Sequence, residues 1–162
     1  QLVFDHRALF DFLRLAGISE LGVMGMSLGA YSAALLATLE QQLRFAVFTV
    51  PLAAIEDFAH DSGRMTGDSA QQLAQRDALA RAQAVISPFS RPSLIPPSQV
   101  ITVAGESDLV TGLVHAQSLT QHFGGQLSLF HGGHLLQAGL ERAFEPVWRL
   151  LDERVTSSRG AR

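Results

Sequence analysis

The apolar positions of the chain change period several times, and each change marks an element. From Asp5 to Ala16, Leu9, Phe12, Leu13 and Ala16 recur at i, i+3, i+4 and i+7, the one-sided stripe of an amphipathic helix. Gly17 comes next, where a left-handed cap is expected. Leu21 to Met24 is a short apolar run bounded by Gly25 and predicts a strand. Leu28 to Leu39 is rich in alanine and leucine and predicts a helix. Within it, Ala30, Ala33, Ala34 and Ala37 form a small-residue face suited to lying close to a sheet. Phe45 to Val50 is almost wholly apolar and stops at Pro51, which suits a strand covered on both faces of a parallel sheet.

Between Ala53 and Pro97 the texture changes. Ser69 with Gln72 resembles a capping box, and a helix is predicted from there to about Ile86. Pro88, Pro92, Pro96 and Pro97 then make an irregular stretch. Residues 53–97 thus read as a helical insertion, expected to form a cap. Val100 to Ala104 predicts a third strand, Thr111 to Phe123 a helix closed by Gly124 and Gly125, and Leu127 to Phe130 a fourth strand. Leu135 to Val155 has a helical pattern with a break at Pro146. Residues 156–162 are expected to be a loose tail.

Alternating strands and helices define an α/β chain with a parallel sheet of about four strands, flanking helices and a helical cap insertion. The main domain is expected to run over residues 1–155. In such sheets ligands bind beyond the carboxyl ends of the strands. Residues 25–29, 105–108 and 131–134 each directly succeed a predicted strand, so they are expected to share that edge.

Composition narrows the chemistry. A chain of 162 residues with 47% apolar and 17% charged side chains is too apolar for disorder and fits one globular domain. A net charge of -3 without blocks of like charge gives no footprint for nucleic acid. The absence of cysteine removes disulfides and cysteine nucleophiles. No histidine pair has a familiar metal spacing, so neither a metal nor another cofactor is expected. The longest apolar run, Phe45 to Ile55, is interrupted by Thr49 and Pro51 and is too short for a membrane span. With no basic region leading into an apolar core, the expected location is cytoplasmic. Every cation is arginine, and asparagine is also absent. Both missing residues have codons beginning AA, which suggests a GC-rich, bacterial genome.

Gly25-Met26-Ser27-Leu28-Gly29 matches G-x-S-x-G between a strand and a helix. A serine on such a tight turn has its hydroxyl pushed out above the sheet. Side chains at positions 25 and 29 are expected to clash there. The N–H of Leu28, opening the next helix, is placed to receive an oxyanion. Serine needs a base to be nucleophilic at neutral pH, and the base needs an orienting carboxylate. Asp108 is favoured over Glu106 as the acid, although a water-facing loop carboxylate or a helix cap is the competing account of each. His134 is favoured over His131 as the base, because Gly132 and Gly133 leave room before it and Leu135 and Leu136 anchor the chain after it. His6, His60, His115 and His122 read as surface or helix histidines. Phe58, Met65, Phe89 and Leu94 of the insertion either line an acyl pocket or fasten the cap to the body.

LGVMGMSLGAYSAALLA (Leu21 to Ala37) resembles the nucleophile elbow of the α/β-hydrolase superfamily. VAGESDLV (Val103 to Val110) is similar to its acid loop, and Gly132-Gly133-His134 to its histidine loop. The helix and elbow also look like the branch of α/β-hydrolase-domain protein 18 and its bacterial relatives. The resemblance implies a serine hydrolase that cleaves an ester, thioester or amide of a small acyl substrate through an acyl-enzyme on Ser27. It implies the C-terminal part of that fold only. Further strands would precede the elbow and supply a second oxyanion donor, and their lack would leave a sheet edge open to self-association. Thr111 stands where the family usually has proline. The alternative is a non-catalytic, hydrolase-like binding module or an inactive fragment.

Overall fold

A computed structural model describes residues 1–160. Four parallel strands, β1 (Leu21–Met26), β2 (Leu43–Thr49), β3 (Val100–Gly105) and β4 (Gln126–Phe130), lie side by side in chain order. Sequential parallel strands require a crossover between each pair. The first crossover contains α2 (Leu28–Ala37). The second carries α3 (Ile55–Asp61), α4 (Ser69–Gln83) and two short turns. The third is α5 (Gly112–Phe123). Helix α1 (Leu2–Leu15) precedes the sheet, and α6 (Leu140–Ala143) and α7 (Glu145–Gly160) come after it. Among the described residues no helix is long and apolar enough to cross a membrane.

Alternation along β2 distributes the core. Ala46 and Phe48 point into a cluster with the alanine face of α2, Leu119 and Phe123 of α5, and Phe10 of α1. Val47 joins Ile101, Val103 and Phe130 under Ala143, Val147 and Leu150 of α6 and α7. Helices therefore cover both faces, and every residue of β3 is buried, which is why β2 and β3 read as continuous apolar runs. Ala30, Ala34 and Ala37 are wholly buried. Their lack of side-chain bulk lets α2 sit close on β1 and β2.

Several expectations needed correction. The buried line of α1 is Phe10, with Val3 and Leu13 packed beside it, whereas Leu9 and Phe12 are exposed. The helix is rolled so that Leu13 of the expected stripe packs on the core while Leu9 and Phe12 face outward. Strand β1 continues through Gly25 to Met26, because its ladder with β2 reaches Met26 opposite Thr49. The capping box sits one residue earlier than expected. Asp68 accepts from the Gln71 N–H at 2.9 Å, and the Gln71 side chain accepts from the Asp68 N–H at 2.9 Å. Residues 135–139 are not helical. Gly132 N–H donates to Ala138 O and Gly133 N–H to Leu136 O, closing a tight loop before Gly139 takes a positive φ of 86°. Pro146 lies in the first turn of α7, where its missing N–H costs nothing. The expected loose tail is helical as far as Gly160, since no helix breaker intervenes; Ala161 and Arg162 lie outside the described residues.

Candidate active site

Ser27 links β1 to α2 with φ 55° and ψ -119°, a conformation that non-glycine residues rarely adopt. Its N–H donates to Thr49 O at 3.0 Å, and its carbonyl accepts from the N–H groups of Ala30 and Leu52. The bend is thus tied to β2 on one side and to α2 on the other. A Cβ at Gly25 would run into the Gly29 carbonyl, so residue 25 must be glycine. Gly29 differs from expectation, because a Cβ there meets nothing within 4 Å. It faces the open groove between α1 and β1, not the sheet.

Three strand ends bring the expected residues together. His134 Nε2 is 3.0 Å from Ser27 Oγ, and His134 Nδ1 is 2.9 Å from Asp108 Oδ2. Asp108 and His134 are both buried, while Ser27 is partly exposed. The acid loop and the histidine loop interlock. Glu106 N–H donates to Phe130 O at 2.8 Å and Ser107 N–H to Gly132 O at 3.2 Å. A Cβ on Gly105 would strike the Gly132 carbonyl, which explains glycine there.

Asp108 is surrounded by donors. Burial pushes its carboxyl upward, but hydrogen bonds from His134, the Val110 N–H, the Thr111 hydroxyl and the Thr111 N–H outweigh that effect. The net result holds the carboxyl below its ordinary range, so it is ionised at neutral pH. Oδ1 receives Val110 N–H at 2.8 Å and Thr111 N–H at 3.1 Å, and Oδ2 receives the Thr111 hydroxyl at 2.9 Å. The carboxylate caps this turn and contacts the imidazole at once, so capping and contact with His134 are not exclusive.

Glu106 and His131 pair with each other instead, on the exposed side of the same loops. Neither bonds to Ser27, Asp108 or His134. Leu28 is exposed at the first position of α2, with its N–H at the helix N-terminus. Leu135 and Leu136 do not anchor the histidine loop, since each is 85% exposed. The loop is held by its own backbone bonds and by Gln137, whose amide donates to His134 O at 3.2 Å.

His115 lies on a helix, as expected, but takes a structural role that its sequence context does not show. It is buried on α5, and its Nδ1 accepts from the Ala53 and Ala54 N–H groups at 3.2 and 3.4 Å. Burial pushes its imidazole down, more strongly than the carboxylates of Asp57, Asp61, Asp108 and Glu56 raise it. The ring thus holds the root of the insertion, and no spacing in the sequence signals it. A cavity of about 560 Å³ lies between the insertion and α5, lined by Asp57, Arg76, Phe89, His115 and neighbours. Of the four apolar insertion residues, Met65 is buried and Phe89 packs on the core and against His122, with 5.1 Å between rings. Phe89 thus fastens the insertion to the body.

No protein-family model matches the chain. It is 33% identical over 139 residues to the uncharacterized proteins MT2702 and Rv2627c of Mycobacterium tuberculosis, covering 83% of this chain and 33% of each of theirs. The chain therefore spans about a third of the length of these curated relatives. Among solved structures it resembles a puromycin-hydrolyzing peptidase of Mycobacterium tuberculosis at TM-score 0.65 and 19% identity, over 92% of this chain and 24% of that one. It resembles an α/β-hydrolase from the metagenome of the Mar Chica lagoon at 0.55 and 21%, over 94% and 68%. It resembles an acetyl xylan esterase from Paenibacillus sp. R4 at 0.62 and 18%, over 83% and 45%. At such identities the likeness is one of fold, and the fold is a partial α/β-hydrolase fold.

Proposed function

We propose that the chain carries the catalytic apparatus of a serine hydrolase acting on an ester, thioester or amide. One observation carries this reading: the unbroken line Ser27 Oγ, His134 Nε2, His134 Nδ1, Asp108 Oδ2, with gaps of 3.0 and 2.9 Å, starting on a strained strand-to-helix bend. His134 Nε2 takes the hydroxyl proton as Ser27 Oγ attacks the acyl carbon. Asp108 stabilises the resulting imidazolium and keeps its ring oriented. Leu28 N–H receives the developing oxyanion, aided by the dipole of α2. His134 then hands the proton to the leaving oxygen, sulfur or nitrogen, and an acyl-Ser27 remains. Water, deprotonated by His134, attacks that acyl group and restores the serine. The insertion over residues 53–97 is read as the part that limits which acyl groups enter.

A fluorophosphonate probe tests the nucleophile. The chain should take up one phosphonyl group on Ser27, located by mass spectrometry of the peptide, with fluoride released. Ser27→Ala should abolish uptake, and His134→Ala should slow it by several orders of magnitude, whereas His131→Ala should change it little. A folded chain that takes up no label, or labelling that survives Ser27→Ala, would refute the assignment.

A further inference from the structure

Thr111 stands at the position before α5 where threonine ordinarily caps the helix with its hydroxyl. It makes no side-chain cap bond there. Its buried hydroxyl turns the other way, to Asp108 Oδ2 at 2.9 Å, while Val50 O lies 3.3 Å off and His134 Nδ1 3.5 Å off. Its backbone lies in the helical region, φ -96° and ψ -26°, whereas a residue that caps with its side chain is ordinarily extended. The turn is closed instead by Asp108 Oδ1, which accepts from the Val110 and Thr111 N–H groups, so the hydroxyl is free for other partners. A hydroxyl has a single proton. Of the two acceptors in reach the ionised Oδ2 is nearer and stronger than the Val50 carbonyl.

We propose that Thr111 is a positioning residue of the Ser27–His134–Asp108 line, its hydroxyl fixing the carboxylate rotation that aims Oδ2 at His134. Oδ1 is held by two backbone N–H groups, but both arrive from the same turn and leave the carboxylate able to rock about its Cβ–Cγ bond. A second donor on Oδ2 removes that motion. The hydroxyl also shares the charge of Oδ2, which would otherwise fall entirely on the imidazole N–H. Val50, whose carbonyl is the hydroxyl's other neighbour, holds a positive φ of 38° at 1% exposure. This conformation is strained for a β-branched residue. The end of β2, the acid turn and the imidazole therefore meet at one hydroxyl.

The kinetic part of this proposal rests on the hydrolase reading; the spectroscopic part does not. Thr111→Val keeps the shape and deletes the hydroxyl, and Thr111→Ser keeps the hydroxyl. In the folded chain, the Nδ1 proton of His134 should move downfield by NMR in Thr111→Val and return to its parent position in Thr111→Ser. Hydrolysis of p-nitrophenyl acetate should lose roughly tenfold in kcat with KM unmoved in Thr111→Val, and recover in Thr111→Ser. If Thr111→Val does not fold, Thr111→Ala takes its place and the same shift is expected. A folded variant without the hydroxyl whose His134 resonance matches the parent would overturn the proposal, as would Thr111→Ser behaving like Thr111→Val. If no variant and no parent hydrolyses the ester, the hydrolase reading fails, and the resonance alone decides the role of Thr111.

Discussion

At the residue scale the molecule places two imidazoles in opposite settings. His134 reaches a carboxylate and a hydroxyl. His115 instead accepts from two backbone N–H groups through Nδ1, which leaves its proton on Nε2 and the ring neutral. Protonating Nδ1 would break both bonds to the start of α3. Burial depresses the folded-state value below the ordinary 6.5. Below pH 6.5 the unfolded chain therefore binds a proton that the folded chain refuses. The stability is fully present above 6.5 and is lost as pH falls toward the folded value. Asp108, held below its ordinary 3.8, acts later, as pH falls through that lower range. Urea titrations at about pH 7.5 and about pH 5.5 should show lower stability at the acidic pH. His115→Gln should remove most of the difference. An unchanged difference in that variant would mean that another group dominates.

At the element scale the elbow depends on how closely β1 and α2 approach. Gly25 has no room for a Cβ because the Gly29 carbonyl occupies its place. The offending atom is backbone at the start of a buried helix, so relief requires α2 to move. Gly25→Ala should cost roughly 1–3 kcal/mol by overpacking. Gly29→Ala, which meets open space, should cost far less. Both residues belong to one motif, and a motif-based argument treats them alike. Thermal melts of the two variants separate the geometric account from the motif account. Equal losses would show that the close approach is not what constrains position 25.

At the scale of the whole molecule β1 stands at one edge of the sheet and, among the described residues, pairs with β2 alone. Met24 and Met26 on that strand are exposed, as are Leu9 and Phe12 of α1 beside it. The groove between α1 and β1 has a volume of about 450 Å³ and apolar walls that include Leu2, Phe10 and Leu13. An open parallel edge next to an apolar surface invites pairing with another chain. The 162-residue chain on its own should therefore self-associate. Light scattering after size-exclusion chromatography should give a mass above that of the 17.5 kDa monomer, increasing with concentration. A sharp monomer peak at all concentrations would show that the edge is protected.

Much of this was legible in the chain itself. Buried apolar runs alternating with helical patterns predict parallel strands, because a strand covered on both faces has no polar side to show, whereas their order comes from the structure. The meeting of Ser27, Asp108 and His134 was legible because each comes just after a strand end, and parallel strands bring those ends to one edge. The sequence could not express anything set by an approach between distant segments. The role of His115 is decided by backbone amides about sixty residues away. Thr111 and Val50 meet only through the packing of two loops. The choice of Asp108 over Glu106 depends on which way the acid turn faces, and the burial of Phe10 over Phe12 on how α1 is rolled against the sheet. Periodicity determines which residues share a face or an edge. Only tertiary packing decides which of them touch.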